Sequence, residues 1–395
     1  MDFEGFGLFE DPVWEANLFE PGDTAPHDPY FLQQIQVWEA GHPSADRYAA
    51  FKYTGPNQAV VTTASASMAN GAVLSVPPPA PNSSWSLSFR GPSLECRSVS
   101  AAANDAVIRN IKRNYKALFR QNPSEAYATY PVFLYLAWFA DASLRNVSAD
   151  VRMPFRGPGP SEGLLGYDAG SASNTMFIYY DTRWDSGPFY NVTGAFSGST
   201  LKCTLRESSY NVRFHVQDGA QRLAASAVSF SGDQPVIPTT YSLIGPRFQD
   251  KQPFRCPSPS SCRTTPSCLK APEVDRPCLL HPNARRNLSY QAVMDAFTRP
   301  LQGHMVADTA SMSGYGYSRN SSVLATALAQ KSPLGIMNPS QAEDTLSKAF
   351  SSHNISMPGM GQVLQNSSWQ FSVQAAVEEM FRNVTISLLA LPESQ

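Results

Sequence analysis

Apolar residues recur with a period of two along much of the first half of this chain and with a period near 3.6 along the second, and no other feature restricts the fold as much. A period of two marks half-buried strands; a period of 3.6 marks one-sided helices. Trp85, Leu87 and Phe89 alternate with Ser84, Ser86 and Ser88. Leu201, Cys203 and Leu205 alternate, as do Tyr210, Val212, Phe214 and Val216, and Arg206 to Ser209 between them predict a β-hairpin. Leu223 to Phe230 would extend the same sheet, since consecutive strands tend to be neighbours. Further strands are expected at Val60–Met68, which is β-branched and small, at Val147–Phe155 and at Met176–Tyr180.

Helical spacing appears first between Ala101 and Gln121, where Ile108, Ile111, Tyr115, Leu118 and Phe119 share a face and Arg109, Lys112, Arg113, Lys116 and Arg120 lie opposite. The basic face reads as a solvated surface rather than a contact for an acidic partner. Tyr290, Val293, Met294, Phe297 and Leu301 form a second stripe, which Pro300 should end. Ser340 and Glu343 have the spacing of a capping box, and Val373, Ala376, Val377, Met380, Phe381 and Val384 mark a last helix. The apolar tail from Thr385 to Leu391 then reads as a strand on the sheet or as the approach to a membrane span. Strands followed by helices give an α+β class with a mostly antiparallel sheet. The expected organisation is an acidic arm over residues 1–50, with a short helix near Phe31–Trp38, a strand-rich body over 51–250, a Cys- and Pro-rich loop over 251–286 and a helix-rich part over 287–395.

Charged residues make up only 16% of the 395, and the net charge is -2. Average usage is about 25%. A nucleic-acid surface needs a concentrated basic patch, so that class of partner is not expected. Eight Asn-X-Ser/Thr triplets occur, at Asn82, Asn146, Asn191, Asn287, Asn320, Asn354, Asn366 and Asn383, where roughly three would arise by chance. Asn191 and Asn383, both Asn-Val-Thr, read as the most usable, Asn383 less so because it falls on the last helix and close to a membrane span. Six cysteines, Cys96, Cys203, Cys256, Cys262, Cys268 and Cys278, read as a disulfide set. Cys96 and Cys203 lie in or near strands and could pair with each other. Zinc on Cys278 and His281 is the rival reading, but the cysteine gaps are wider than a zinc knuckle uses, so neither metal nor cofactor is expected. Glycans and disulfides both require the secretory pathway, yet the N-terminus has ten acidic residues before Arg47 and no signal peptide. Either the chain is cytosolic and the sequons are idle, or it is a soluble segment of a larger protein whose membrane signal lies outside it, and the second reading is the expected one.

The stretches Asn82–Val99, Leu201–Gln221, Ser289–Gly303 and Val377–Leu389 together resemble a group of large, uncharacterised fungal multi-span membrane proteins, some of them named formylmethionine deformylase-like. The resemblance covers about residues 50–390. It implies a glycosylated ectodomain between membrane spans, both of which lie outside this chain, at the extracellular face of the plasma membrane or in the secretory pathway. Cell-wall glycans or another membrane protein would be its partners. The deformylase name fails on residues: His27, His42, His215, His281, His304 and His353 include no pair four apart, so there is no His-Glu-x-x-His motif. Gly-x-Ser-x-Gly and phosphate-binding loops are also missing, and GYGYS from Gly314 reads as a flexible turn. The expected function is a non-catalytic binding, sensing or structural ectodomain. The alternative is a secreted carbohydrate-active or carbohydrate-binding protein on a β-sandwich, with Asp181 and Asp185 beside Tyr179, Tyr180 and Trp184 as its acidic pair.

Overall fold

A computed structural model describes residues 2–4, 14–16, 35–36, 48–118, 132–139, 153–155, 174–181, 198–230, 236, 241–246, 282–308, 316–319, 321–334 and 371–391. In chain order its elements begin with β1 (Asp2–Glu4), β2 (Trp14–Ala16), β3 (Ile35–Gln36), β4 (Tyr48–Pro56), α1 (Gln58–Asn70), β5 (Ser84–Ser98) and α2 (Ala101–Leu118). They continue with β6 (Val132–Phe139), β7 (Thr175–Asp181), β8 (Ser199–Gln217), β9 (Ala220–Phe230) and β10 (Tyr241–Pro246). The last are α3 (Pro282–Thr298), β11 (Gly303–Asp308), β12 (Gly316–Arg319), α4 (Ala327–Lys331) and α5 (Val373–Ser387).

The fold is α+β. Its main sheet runs β1-β5-β8-β7-β6-β11-β12, with β9 also on β8, and every pairing is antiparallel except β1 with β5. A smaller antiparallel sheet has β4 at its centre, with β10, β2 and β3 around it. Strand β6 lies between β7 and β11, and its residues Tyr135–Phe139 are buried in succession. A strand covered on both faces needs no alternation. Helix α5 packs along β5, and α1 packs on both α3 and α5. One apolar cluster joins the sheet to these helices.

Several expected elements come out differently, each for an identifiable reason. Val60–Met68 is helix, not strand. Its buried residues Val60, Thr63, Ala64, Ser67 and Met68 follow helical spacing, Asn57 Oδ1 accepts from the Val60 N–H at 2.9 Å, and Gly71 ends the helix at φ 64. Cap and period together outweigh β-branched propensity. Arg206–Ser209 is not a turn: β8 is one 19-residue strand, and its register with β5 is unbroken from Ser84↔His215 to Ser98↔Leu201. Buried positions change parity between Leu205 and Ser208, so the two ends of the β5–β8 ribbon bury opposite faces. That change of face produces the phase break which resembles a hairpin in the sequence. The hairpin forms instead between β8 and β9, through Asp218 at φ 52 and Gly219 at φ 75.

Ile35–Gln36 is a strand on β4 rather than part of a helix. Met153–Phe155 is bent and in no strand, and Asn110 holds the Phe155 backbone at both its N–H and its carbonyl. Gly316–Arg319 joins the sheet as β12, where a flexible turn was expected. The tail is helix to Ser387 and then a 3-10 turn over Leu388–Ala390, packed in the core rather than added to the sheet. The capping box at Ser340 and the remainder of Val147–Phe155 lie outside the described residues.

Candidate functional site

Strand β5 carries its functional groups on both edges. Antiparallel strands alternate between residues that point their N–H and C=O at the partner strand and residues that point them away. The Val216 N–H donates to the Ser83 carbonyl at 2.8 Å, which puts odd-numbered β5 residues in the first class and Pro92, Leu94 and Cys96 in the second. Pro92, with no N–H to give, sits where none is needed. Its carbonyl accepts from the Tyr210 hydroxyl at 2.6 Å and from the Thr385 hydroxyl at 3.0 Å. Burial pushes the Tyr210 pKa up, partly offset by the Thr385 hydrogen bond and the Arg382 charge, so the phenol stays a donor.

At Cys96 helix α5 takes the place of a neighbouring strand. The Cys96 N–H donates to Glu378 Oε1 at 2.8 Å, and Gln374 Nε2 donates to the Cys96 carbonyl at 2.7 Å. Two side chains one helical turn apart thus satisfy both backbone groups of an open edge. Burial raises the Glu378 pKa, the hydrogen bonds from Cys96 and Gln374 lower it, and the nearby Glu95 carboxylate raises it. Glu95 pairs with Arg97 and with Arg206 Nη1 at 3.5 Å.

Because Cys96 turns its backbone towards α5, it meets Cys203 at a non-hydrogen-bonded position, where side chains of paired strands come closest. The two form a disulfide with their Cα atoms 3.9 Å apart, and both are buried. Of the eight sequons, Asn82 and Asn383 have described side chains. Asn82 is exposed at φ 53, and its Oδ1 accepts from the Asp218 N–H at 2.7 Å across the end of the sheet. Asn383 is 6% exposed in α5, and its Nδ2 donates to the Gly71 carbonyl at 3.3 Å. Its sequon, read from sequence as one of the most usable, lies inside the core. Asn287 falls in α3 with its side chain outside the described residues. Asn146, Asn191, Asn320, Asn354, Asn366, Cys256, Cys262, Cys268, Cys278, His281 and Asp185 also lie outside them.

Asp181 does not line a groove: it is 1% exposed, and the Tyr179 hydroxyl approaches its Oδ2 at 3.5 Å. The same hydroxyl accepts from the Gly198 N–H at 3.0 Å. A Cβ at Gly198 would come within 2.4 Å of the Tyr180 carbonyl, so only glycine fits where β8 begins. Of the basic residues of α2 whose side chains are described, Arg109 and Arg113 are exposed and Lys112 is half-buried. A shallow pocket beside Gly71 holds Lys331, whose Nζ donates to the Gly71 carbonyl at 2.6 Å. That contact caps the C-terminus of α1. Among the described residues no group of three His, Cys, Asp or Glu could hold a metal ion, and no helix is long and apolar enough to cross a membrane.

The clasp of Gln374 and Glu378 is the feature that sequence reasoning misses. Nothing in the sequence sets these two apart from the other polar residues of α5, among them Glu379 and Arg382. The chain matches no protein-family model, no curated protein and no solved structure.

Proposed function

We propose that this chain is a non-catalytic, N-glycosylated ectodomain of a fungal membrane protein, working by binding, sensing or as a structural element on the extracellular face or in the secretory pathway. The observation that carries this reading is the Cys96–Cys203 disulfide, buried across two central strands and clasped by α5. Disulfides persist in oxidising compartments and are rare in the cytosol. The exposed Asn82 sequon agrees with such a compartment, and the buried Asp181 disfavours a groove with paired carboxylates. The test uses protein recovered from its own source, denatured in an alkylating reagent before and after reduction. Cys96 and Cys203 should label only after reduction, and enzymatic deglycosylation should lower the apparent mass. Labelling of both cysteines without reduction would defeat the proposal.

A further inference from the structure

We infer that Asn82 carries an N-linked glycan in the folded protein and that Asn383 does not, although Asn383 belongs to the Asn-Val-Thr triplet. The inference rests on the secretory reading above and sorts its modification sites. At Asn82 the amide nitrogen, the atom that takes the oligosaccharide, makes no hydrogen bond among the described residues, while Oδ1 is held by Asp218. The side chain stands at the end of the sheet, beside the β8–β9 turn, where a Cβ on Gly219 would meet nothing within 4 Å. Asn is among the few residues that tolerate its left-handed conformation. A glycan leaving this point enters solvent.

Both working groups of the other sequon are committed to the core. Asn383 Nδ2 donates to the carbonyl of Gly71, the C-cap of α1, and Thr385 Oγ1 donates to the Pro92 carbonyl in β5. Thr385 is 1% exposed and Val384 between them 0%. Oligosaccharide is hydrophilic and larger than any side chain, so a modified Asn383 could not return between α1 and α5, and chains modified there would fail to fold. The triplet is a by-product of packing: an amide and a hydroxyl two residues apart, each serving a different neighbour.

The experiment expresses the full chain behind a signal peptide in a secretory yeast and maps glycopeptides of the secreted protein by mass spectrometry. The Asn82 peptide should be glycosylated and the Asn383 peptide bare. Ser84→Ala should remove one glycan's mass and lower the thermal midpoint by no more than the loss of the exposed Ser84–His215 hydrogen bond, 2.6 Å long, allows. Thr385→Val should remove no glycan mass and lower the midpoint. A glycan on Asn383 in secreted, folded protein, or a bare Asn82, would overturn the assignment. Failure of the compartment reading shows separately, as free thiols and no glycan on protein from its own source while forced secretion still sorts the two sequons.

Discussion

Glu378 holds two elements together while its burial disfavours its own charge. Its carboxylate is half-buried and accepts the Cys96 N–H, yet the loss of solvent outweighs that bond and raises its pKa. An acid whose folded pKa lies above its unfolded value is held preferentially protonated by the folded state. Its unfavourable contribution is full above the folded pKa and fades as pH falls through that value towards the unfolded one. Glu378→Gln keeps an acceptor for Cys96 and removes the charge. Urea unfolding at pH 7 should find the variant gaining on the native protein, and the gain should shrink towards pH 4.5, the ordinary value for this carboxyl. A gain that is flat or grows on acidification would show that the hydrogen bonds, not burial, govern the site. The charges facing Glu378 are those of Glu95 and, through Glu95, Arg97 and Arg206, so the comparison needs moderate salt to keep their screening constant.

Among the elements, the β5–β8 ribbon supports most of the structure. It carries stacked cross-strand pairs, Trp85 on Phe214 and Phe89 on Tyr210, each with ring centroids 5.0 Å apart. Where the buried face changes, the hydroxyls of Ser93 and Ser208 bond each other inside the protein. Beyond that point the disulfide closes a loop with a sequence separation of 107, which on the chain-entropy account stabilises by about 4 to 5 kcal/mol. Replacing both cysteines by alanine should therefore cost roughly that much, plus a small cavity term, measured as a lowered urea midpoint. The reduced native protein should behave like the double variant. A double variant within about 1 kcal/mol of the native protein would mean that the unfolded chain is already compact there.

At the scale of the whole molecule, one apolar cluster contains residues of α1, α3, α4 and α5 together with β5, β6, β7 and β8. Phe297 of α3 meets Phe381 of α5 edge-on at 4.9 Å, and Ser387 of α5 bonds Ser67 of α1 at 3.3 Å. Helices and sheet sharing one core should unfold together. Far-ultraviolet circular dichroism, which follows helix and strand, and fluorescence of Trp85 and Trp138, which are buried on the sheet, should give coincident transitions in urea. Separate transitions would show that the helical layer is a distinct unit resting on the sheet.

The α+β class, the strands at Ser84–Ser88, Met176–Tyr180 and Leu223–Phe230, the helices α2, α3 and α5, and the pairing open to Cys96 and Cys203 are all legible along the chain. Each follows from apolar period or from residue type within one element, and such signals are local. Tertiary structure decided the rest. Residues 206–209 could be a turn or the point where a long strand changes its buried face, and only β5 opposite, with its own face changing at the same place, selects the strand. Val60–Met68 had β-branched residues for a strand and an Asn57–Gly71 frame for a helix, and its helical face is the one that fits α3 and α5. The triplet type favours Asn383, yet the fold reverses the order, because Asn82 lies at the end of the sheet, whereas Asn383 meets Gly71 across 312 residues of chain. Burial is set by what arrives from far along the chain, and a three-residue motif carries no record of it.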